Sequence, residues 1–175
     1  MSESTKIPIK IHPRAFSAFG EDLITNENVA MIELVKNCYD AYALKVEIEF
    51  GKDSQGDPFI RIIDDGCGMT RDTIEYAWAT IATSYKKKKP YISRTVQIKG
   101  SNGKMETVKR TRVVSGNKGL GRFSAARLGY QMYITTKHKD DLCIDAYFDW
   151  RSFEQADSIA DCALTFTYRE DNPFF

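Results

Sequence analysis

The sequence has no long hydrophobic run and almost no excess of charge. Its 175 residues carry a formal net charge of +1, and no apolar stretch approaches the roughly 18 residues of a membrane span. The first ten residues also lack the apolar core of a signal peptide. We therefore expect a soluble, cytoplasmic protein with no membrane contact, and the overall charge favours no particular class of partner.

Residues that bind metals or form disulfides are also few. The two histidines, His12 and His138, occur singly, which favours surface or core roles over metal binding. The four cysteines are far apart and form no CxxC pair. They are Cys38, Cys67, Cys143 and Cys162. This spacing is typical of reduced cytosolic thiols and argues against disulfides and zinc sites.

Charge is unevenly distributed along the chain. Residues 86–115 hold ten Lys or Arg and one acid, Glu106, so a basic segment is set into an acidic body. The segment contains Gly100 and Gly103 and few large apolar residues, which predicts a loop. Its lysine run, Lys86 to Lys89, is typical of a solvated charge cluster. Contact with a nucleotide or with a nucleic-acid backbone is the less favoured alternative.

Residues 29–43 predict a helix that is apolar almost all round. Glu33, Asn37 and Asp40 interrupt it at spacings of four and three, so they fall within about 60° of one another on one stripe. A surface helix normally has the opposite proportions. The stripe therefore predicts polar side chains that look into a pocket, and the alternative is a core helix with a thin solvated edge.

The rest of the chain alternates strands and helices without an internal repeat. Before the striped helix we expect an extended segment over 1–14, a helix over 14–23 and capping residues at 25–28. After it we expect strands at 45–50, 59–63, 130–138, 142–150 and 163–170, and helices from Thr70 to about 82 and over 119–129. The length suits one domain, and the pattern predicts a sheet backed by a layer of helices.

Two glycine-punctuated segments follow the striped helix. The first, Asp64 to Thr70, ends a strand and contains Gly66 and Gly68, whose missing Cβ atoms allow a planar ligand close to the backbone. Asp64 can accept a hydrogen bond from an exocyclic amine such as that of adenine, whereas a guanine keto group offers it no donor. The alternative is a plain strand-to-helix turn in which glycine supplies a positive φ.

The second segment, Gly116 to Phe123, has the spacing GxxGxG and leads into a predicted helix. Such a segment can present backbone amides to a phosphate, and the helix dipole favours the anion. On its own this is a weak signal. It lacks the GxxxxGK[ST] pattern of a P-loop, and it does not follow an early strand as a dinucleotide-binding fingerprint would.

In this order the three segments resemble the GHKL superfamily of DNA gyrase B, the ninety-kilodalton heat-shock chaperone, sensor histidine kinases and MutL. The resemblance covers about residues 26–129. It implies an α/β (α+β) ATP-binding domain of Bergerat type over 1–175, in which a mixed sheet and a layer of helices form a two-layer sandwich. It also implies ATP hydrolysis to ADP with Mg²⁺, an ATP lid over 86–115 and a nucleotide-dependent homodimer.

The resemblance assigns roles to individual residues. Glu33 would activate water, Asn37 would bind Mg²⁺, and Asp64 would read adenine. The further nucleotide-binding residues that it implies are Asp40, Gly66, Gly68, Met69, Thr83, Ser84, Gly116, Lys118, Gly119, Leu120, Gly121, Arg122 and Phe123.

The chain also departs from the family pattern. It lacks the Gly-Thr pair that follows the lid in most members, and Thr165 and Thr167 are poor substitutes. We therefore expect an N-terminal fragment whose remaining strands lie beyond residue 175. Two alternatives to an ATPase stay open: the catalytic domain of a sensor histidine kinase, against which the long basic lid argues, and a nucleotide-gated interaction module without useful turnover.

Overall fold

The computed structural model describes residues 26–76, 90–101, 103–115, 124–158, 161–162 and 165–171, together with Pro13 and Pro173. These residues form an α+β structure, which confirms the predicted fold class. The helices are α1 (Glu27–Asp40), α2 (Arg71–Ile74), α3 (Ser124–Leu128) and α4 (Arg151–Gln155). The strands are β1 (Val46–Lys52), β2 (Pro58–Asp64), β3 (Tyr91–Lys99), β4 (Met105–Val113), β5 (Gln131–Lys137), β6 (Cys143–Asp149) and β7 (Thr165–Arg169).

Helix α1 is the predicted striped helix, displaced by two or three residues. The Asn26 side chain caps it by accepting a hydrogen bond from the Val29 amide at 3.0 Å, and Glu27 places a negative charge in the first turn. The helix ends at Asp40 because Tyr42 adopts a left-handed conformation, with φ of 61°. The predicted end at residue 43 is therefore three residues too late.

Strands β5, β6 and β7 form an antiparallel sheet with β6 in the centre. The core lies against this sheet, where Ala146, Phe148 and Trp150 are buried. Residues of α3, α4 and the flanking strands pack around them: Ala125, Ala126, Met132, Ile134, Phe153 and Phe166. Burying a side chain such as Phe148 contributes about 1.5–3 kcal/mol to the stability of the folded protein. This sheet is therefore the stable part of the fold against which loops from earlier in the chain pack.

Strands β1 and β2 form an antiparallel hairpin in which Val46 pairs with Asp64. Asp53 closes its turn by accepting hydrogen bonds from the amides of Gln55 and Asp57 at 2.8 and 2.9 Å. The sequence predicted both strands. The pairing brings Asp64, at the end of β2, level with Val46, the first residue of β1.

The prediction of a loop for the basic segment is wrong over 91–113. Strands β3 and β4 form a regular antiparallel hairpin of nine residues each, with Tyr91 opposite Val113. Ile92, Val96 and Ile98 alternate with polar residues, which is the period of a strand. Arg94 interrupts this pattern because a charged side chain occupies an inward-facing position. Because of this charge, the alternation of apolar and polar residues alone does not identify the strand.

Some of the remaining predicted elements fall on described residues, and others do not. Thr70 caps α2 by accepting a hydrogen bond from the Thr73 amide at 3.2 Å, but α2 ends at Ile74, and residues 77–82 of the predicted helix lie outside the described residues. So do the predicted helix over 14–23 and residues 119–123. Among the helices that the structure describes, none has the length and apolar character to cross a membrane.

Candidate functional site

The polar stripe of α1 turns progressively from solvent into the protein. Glu33 has 31% of its side chain exposed, and Lys36 Nζ donates to its Oε1 at 2.7 Å. Asn37 is half-buried, and Asp40 is only 8% exposed. A carboxylate so deeply buried requires hydrogen-bond donors. The C-terminal end of the stripe therefore lies inside the protein, and a pocket in front of the stripe stays a prediction.

Asp40 is joined to the residue that precedes the second glycine segment. Its Oδ1 accepts hydrogen bonds from the Ser115 amide at 2.7 Å and from the Ser115 hydroxyl at 3.1 Å. Ser115 is followed directly by Gly116. The end of the striped helix therefore holds the residue that precedes the predicted phosphate-binding segment. Sequence reasoning missed this contact because 75 positions separate the two residues.

The first glycine segment lies against the end of α1. The Gly66 amide donates to Asp64 Oδ1 at 2.8 Å, and the Cys67 amide donates to the Ala41 carbonyl oxygen at 2.8 Å. The Met69 amide donates to Thr136 Oγ1 on β5 at 2.9 Å. These three bonds hold the segment between α1 and the core sheet, so Asp64 and the polar stripe belong to one region.

At Gly66 and Gly68 the surrounding protein leaves no room for a Cβ atom. Gly68 has φ of +66°, and a Cβ at this position would overlap the Lys137 carbonyl oxygen. At Gly66 a Cβ would lie 2.6 Å from Asp64 Oδ1 and 2.8 Å from the Ala41 Cβ. This favours the turn alternative as the reason for the glycines. Their contact with a planar ligand stays a prediction.

The two adjacent carboxylates, Asp64 and Asp65, have different surroundings. Asp65 Oδ1 accepts hydrogen bonds from the amides of Leu44 at 2.6 Å and Lys45 at 2.8 Å. Partial burial acts to raise the pKa of Asp65, but the amides of Lys45 and Leu44 and the charge of Arg94 outweigh it and lower that pKa. Asp65 therefore caps the chain between α1 and β1, whereas the reading of a base by Asp64 stays a prediction.

The buried Cys38 thiol lies beside Asp64. It donates a hydrogen bond to the Leu34 carbonyl oxygen at 3.5 Å. Burial, followed by the negative charge of Asp64, raises the pKa of Cys38 from 9.0 to about 12. The thiol therefore keeps its proton at neutral pH and adds no negative charge beside Asp64.

This thiol makes stability depend on pH in alkali. The unfolded chain ionises Cys38 near pH 9, whereas the folded chain keeps the proton to about pH 12, so the free energy of unfolding falls as the pH rises between these values. We expect a shallower fall in Cys38→Ser, since a serine does not titrate there. Urea unfolding of both proteins at pH 7, 9 and 10 measures the difference. Parallel curves would show that Cys38 does not contribute.

Two arginines of the β3–β4 hairpin anchor it to the same region. Arg112 Nη1 donates to the Ala43 carbonyl oxygen at 2.7 Å, and its guanidinium lies 4.1 Å from the ring centroid of Tyr42. Arg94 Nη1 donates to the carbonyl oxygens of Tyr42, at 3.2 Å, and of Asp65. Carbonyl groups at the end of a helix attract cations. We call Arg94, Arg112 and Ser115 the hairpin anchor.

Helix α3 packs against α1 and contributes a buried hydroxyl. Arg127 Nε lies 3.1 Å from Glu27 Oε1 and joins the two helices. Ser124 is fully buried, and its Oγ has no hydrogen-bond partner within the described part of the chain. A buried hydroxyl without a partner is uncommon. It lies directly after the second glycine segment, and sequence reasoning gave it no role.

The expected Mg²⁺ would need oxygen ligands from the protein. No group of three His, Cys, Asp or Glu side chains among the described residues could hold a metal ion. Mg²⁺ keeps several waters and is commonly bound through one or two protein oxygens together with substrate phosphates. The amide oxygen of Asn37 suits that role, so the residues fit an ion that arrives with a nucleotide.

The remaining predicted site residues lie outside the described residues, and their roles stay predictions. They are Thr83, Ser84, Gly116, Lys118, Gly119, Leu120, Gly121, Arg122 and Phe123.

Comparison with known proteins assigns the chain to a family. A family model described as histidine kinase-, DNA gyrase B-, and HSP90-like ATPase matches residues 24–168. The DNA mismatch repair protein MutL of Aeromonas salmonicida (strain A449) is 38% identical over 81 residues, which are 45% of this chain and 12% of that protein. The chain belongs to the histidine kinase-, DNA gyrase B- and HSP90-like ATPase family, the GHKL superfamily, and this membership supports ATP binding.

Proposed function

We propose that this domain binds ATP with Mg²⁺, hydrolyses it to ADP and couples the nucleotide state to a conformational change. The observation that carries the proposal is the hydrogen bond from the Cys67 amide to the Ala41 carbonyl oxygen, at 2.8 Å. It joins the end of the polar stripe to the segment that begins at Asp64. A base-reading carboxylate and a water-activating carboxylate could therefore act on the two ends of one nucleotide.

Glu33 is the proposed general base. Phosphoryl transfer asks the protein mainly for positioning and neutralisation of charge, and a carboxylate can orient and deprotonate the attacking water. Lys36 Nζ holds Glu33 Oε1 at 2.7 Å, so the second oxygen would receive the proton. Lys36 also restrains the side chain at the start of the stripe.

Asn37 is the proposed protein ligand of Mg²⁺, through its amide oxygen. The ion, when bound, neutralises charge on the phosphates of the nucleotide. Asp40, one turn further along α1, would act indirectly. Its two hydrogen bonds to Ser115 would hold the entrance of the glycine segment, whose amides at Gly116, Gly119 and Gly121 would surround the phosphates.

Asp64 is the proposed reader of the base. Its Oδ1 accepts the Gly66 amide at 2.8 Å, which fixes the orientation of the carboxylate. A carboxylate oriented in this way suits the exocyclic amine of adenine, because it accepts hydrogen bonds and cannot donate one. Gly68 and Met69 follow Asp64 in the same segment and would line the base.

The lid is proposed to extend over residues 86–115. Strands β3 and β4 of this segment pair along their whole length, so the hairpin would move as one body about its base near Ser115. Its closure would depend on the γ-phosphate, because the glycine segment begins at the next residue.

Limited trypsin digestion with no nucleotide, with ADP and with a non-hydrolysable ATP analogue plus Mg²⁺ tests the binding and the lid together. Without nucleotide we expect cleavage at exposed sites such as Lys104 before cleavage at the half-buried Arg94 and Arg112. The analogue alone should protect residues 86–115. Mass spectrometry identifies the cut positions, and calorimetry of ATP binding with Mg²⁺ provides the independent measure of affinity.

The outcomes separate the parts of the proposal. Equal cleavage in all three conditions, with measurable heat of ATP binding, would remove the lid and leave the nucleotide site. An absence of binding heat would contradict the function itself. Phosphohistidine on a partner would favour the kinase alternative, and ATP binding without turnover would favour the interaction module.

A further inference from the structure

The β3–β4 hairpin has two chemically different faces. Its inner face carries Arg94 and Arg112 of the anchor. Its outer face is formed by the odd-numbered positions of 91–99 and 105–113, which pair across the two strands. All ten of these residues are exposed. The outer face is therefore a continuous surface that no other described element covers.

The outer face contains cations and hydrogen-bonding groups but no carboxylate. Lys99 and Lys109 lie on it, together with a tyrosine, a serine, three threonines and a glutamine. Neither lysine makes an ion pair with a described residue. The single acid of the hairpin, Glu106, pairs with Ile98 on the inner face. Residues 90–115 hold six Lys or Arg against that one acid, so the hairpin is a basic arm on an acidic body.

We propose that the outer face of the β3–β4 hairpin binds duplex nucleic acid. Lys, Ser, Thr, Gln and Tyr are the side chains that contact phosphate and sugar in such complexes. The major groove of B-form DNA, about 12 Å wide, admits a two-stranded β-ribbon. A face without carboxylates imposes no repulsion on the phosphates, and the occupant is indicated by charge complementarity.

The anchor supplies the second requirement, which is a fixed base. Arg94 bonds to the Tyr42 carbonyl oxygen at 3.2 Å, Arg112 bonds to that of Ala43 at 2.7 Å, and the Ser115 amide bonds to Asp40 at 2.7 Å. The part of the inner face that carries Arg94 and Arg112 is thereby packed on the protein. In the absence of nucleotide the outer face is presented in one orientation, so binding does not have to order the arm first.

The test is fluorescence anisotropy of a labelled DNA duplex with the whole chain, in the absence of nucleotide and at several salt concentrations. For the wild type we expect the logarithm of the affinity to fall linearly with the logarithm of the salt concentration. Lys99→Glu/Lys109→Glu should bind at least about tenfold more weakly and reduce the slope by about 2, since each lost phosphate contact removes about 0.9 to 1.

Lys52→Glu/Lys139→Glu is the matched control. It makes the same change of net charge at two exposed lysines of other hairpins, and we expect its slope to match that of the wild type. Lys99→Gln/Lys109→Gln repeats the test if the charge reversals impair folding, which circular dichroism monitors. Equal losses in both charge-reversed proteins, no binding of the duplex at low salt, or tighter binding of single strands or anionic vesicles would each overturn the proposal.

Discussion

Glu33→Gln is expected to bind ATP as the wild type does and to lose hydrolysis by a factor of about 10² to 10⁴, the range for removal of a general base. The amide preserves the shape of the side chain but cannot accept the proton of water. Lys36 loses its ionic partner at 2.7 Å, but both side chains are partly exposed, so the free energy of unfolding should change by less than about 1 kcal/mol.

Phosphate release measures the rate, and calorimetry measures the affinity for ATP. Glu27→Gln is the control on the same helix, because it removes a carboxylate that pairs with Arg127 at 3.1 Å and has no proposed role in the reaction. Unchanged turnover in Glu33→Gln would exclude Glu33 from the mechanism. Loss of nucleotide binding would indicate a structural role.

The second large effect is expected at the base-reading position. Asp64→Asn should weaken the binding of adenine nucleotides by at least about 1.5 kcal/mol, or roughly tenfold, because a charged acceptor for the amine is lost. The new amide can present a donor to that amine, which adds to the loss. Its oxygen can still accept the Gly66 amide, so the segment should keep its conformation.

Asp65→Asn makes the matched comparison at the adjacent residue. Asp65 Oδ1 accepts the amides of Leu44 and Lys45, and removing its charge should lower the free energy of unfolding. Calorimetric titration with ADP and urea unfolding of both variants separate the two roles. Equal affinity for ADP in Asp64→Asn and the wild type would show that Asp64 does not read the base.

Much of the fold could be predicted because most strands alternate apolar and polar residues. Strands β5 and β6 lie within the predicted ranges 130–138 and 142–150, since β6 buries its apolar residues in the core. The β3–β4 hairpin could not be predicted in this way. Its inward positions include Arg94 and Arg112, whose guanidinium groups bond to carbonyl oxygens supplied by a distant turn.

The candidate site shows the same difference between local and non-local features. The stripe of α1 and the segment at Asp64 are local patterns, so the sequence could predict them and their order. The contacts that join them are non-local. They depend on how α1 ends, and they join Asp40 with Ser115, Cys38 with Asp64, and Cys67 with Ala41. The left-handed conformation of Tyr42 sets the geometry of this helix end. A tyrosine rarely adopts that conformation, so the sequence offers no reason to expect it.

The hairpin anchor has a practical consequence for engineering. All three anchor residues bind at the base of the arm, whereas the turn at 100–104 closes on itself through the hydrogen bond from the Gly100 amide to the Lys104 carbonyl oxygen, at 2.8 Å. Gly103 has φ of +78°, so a side chain there would strain the backbone although no atom lies within 4 Å. A fluorophore attached at the exposed Ser101 instead lies at the tip and leaves the anchor untouched, so its signal reports the position of the hairpin.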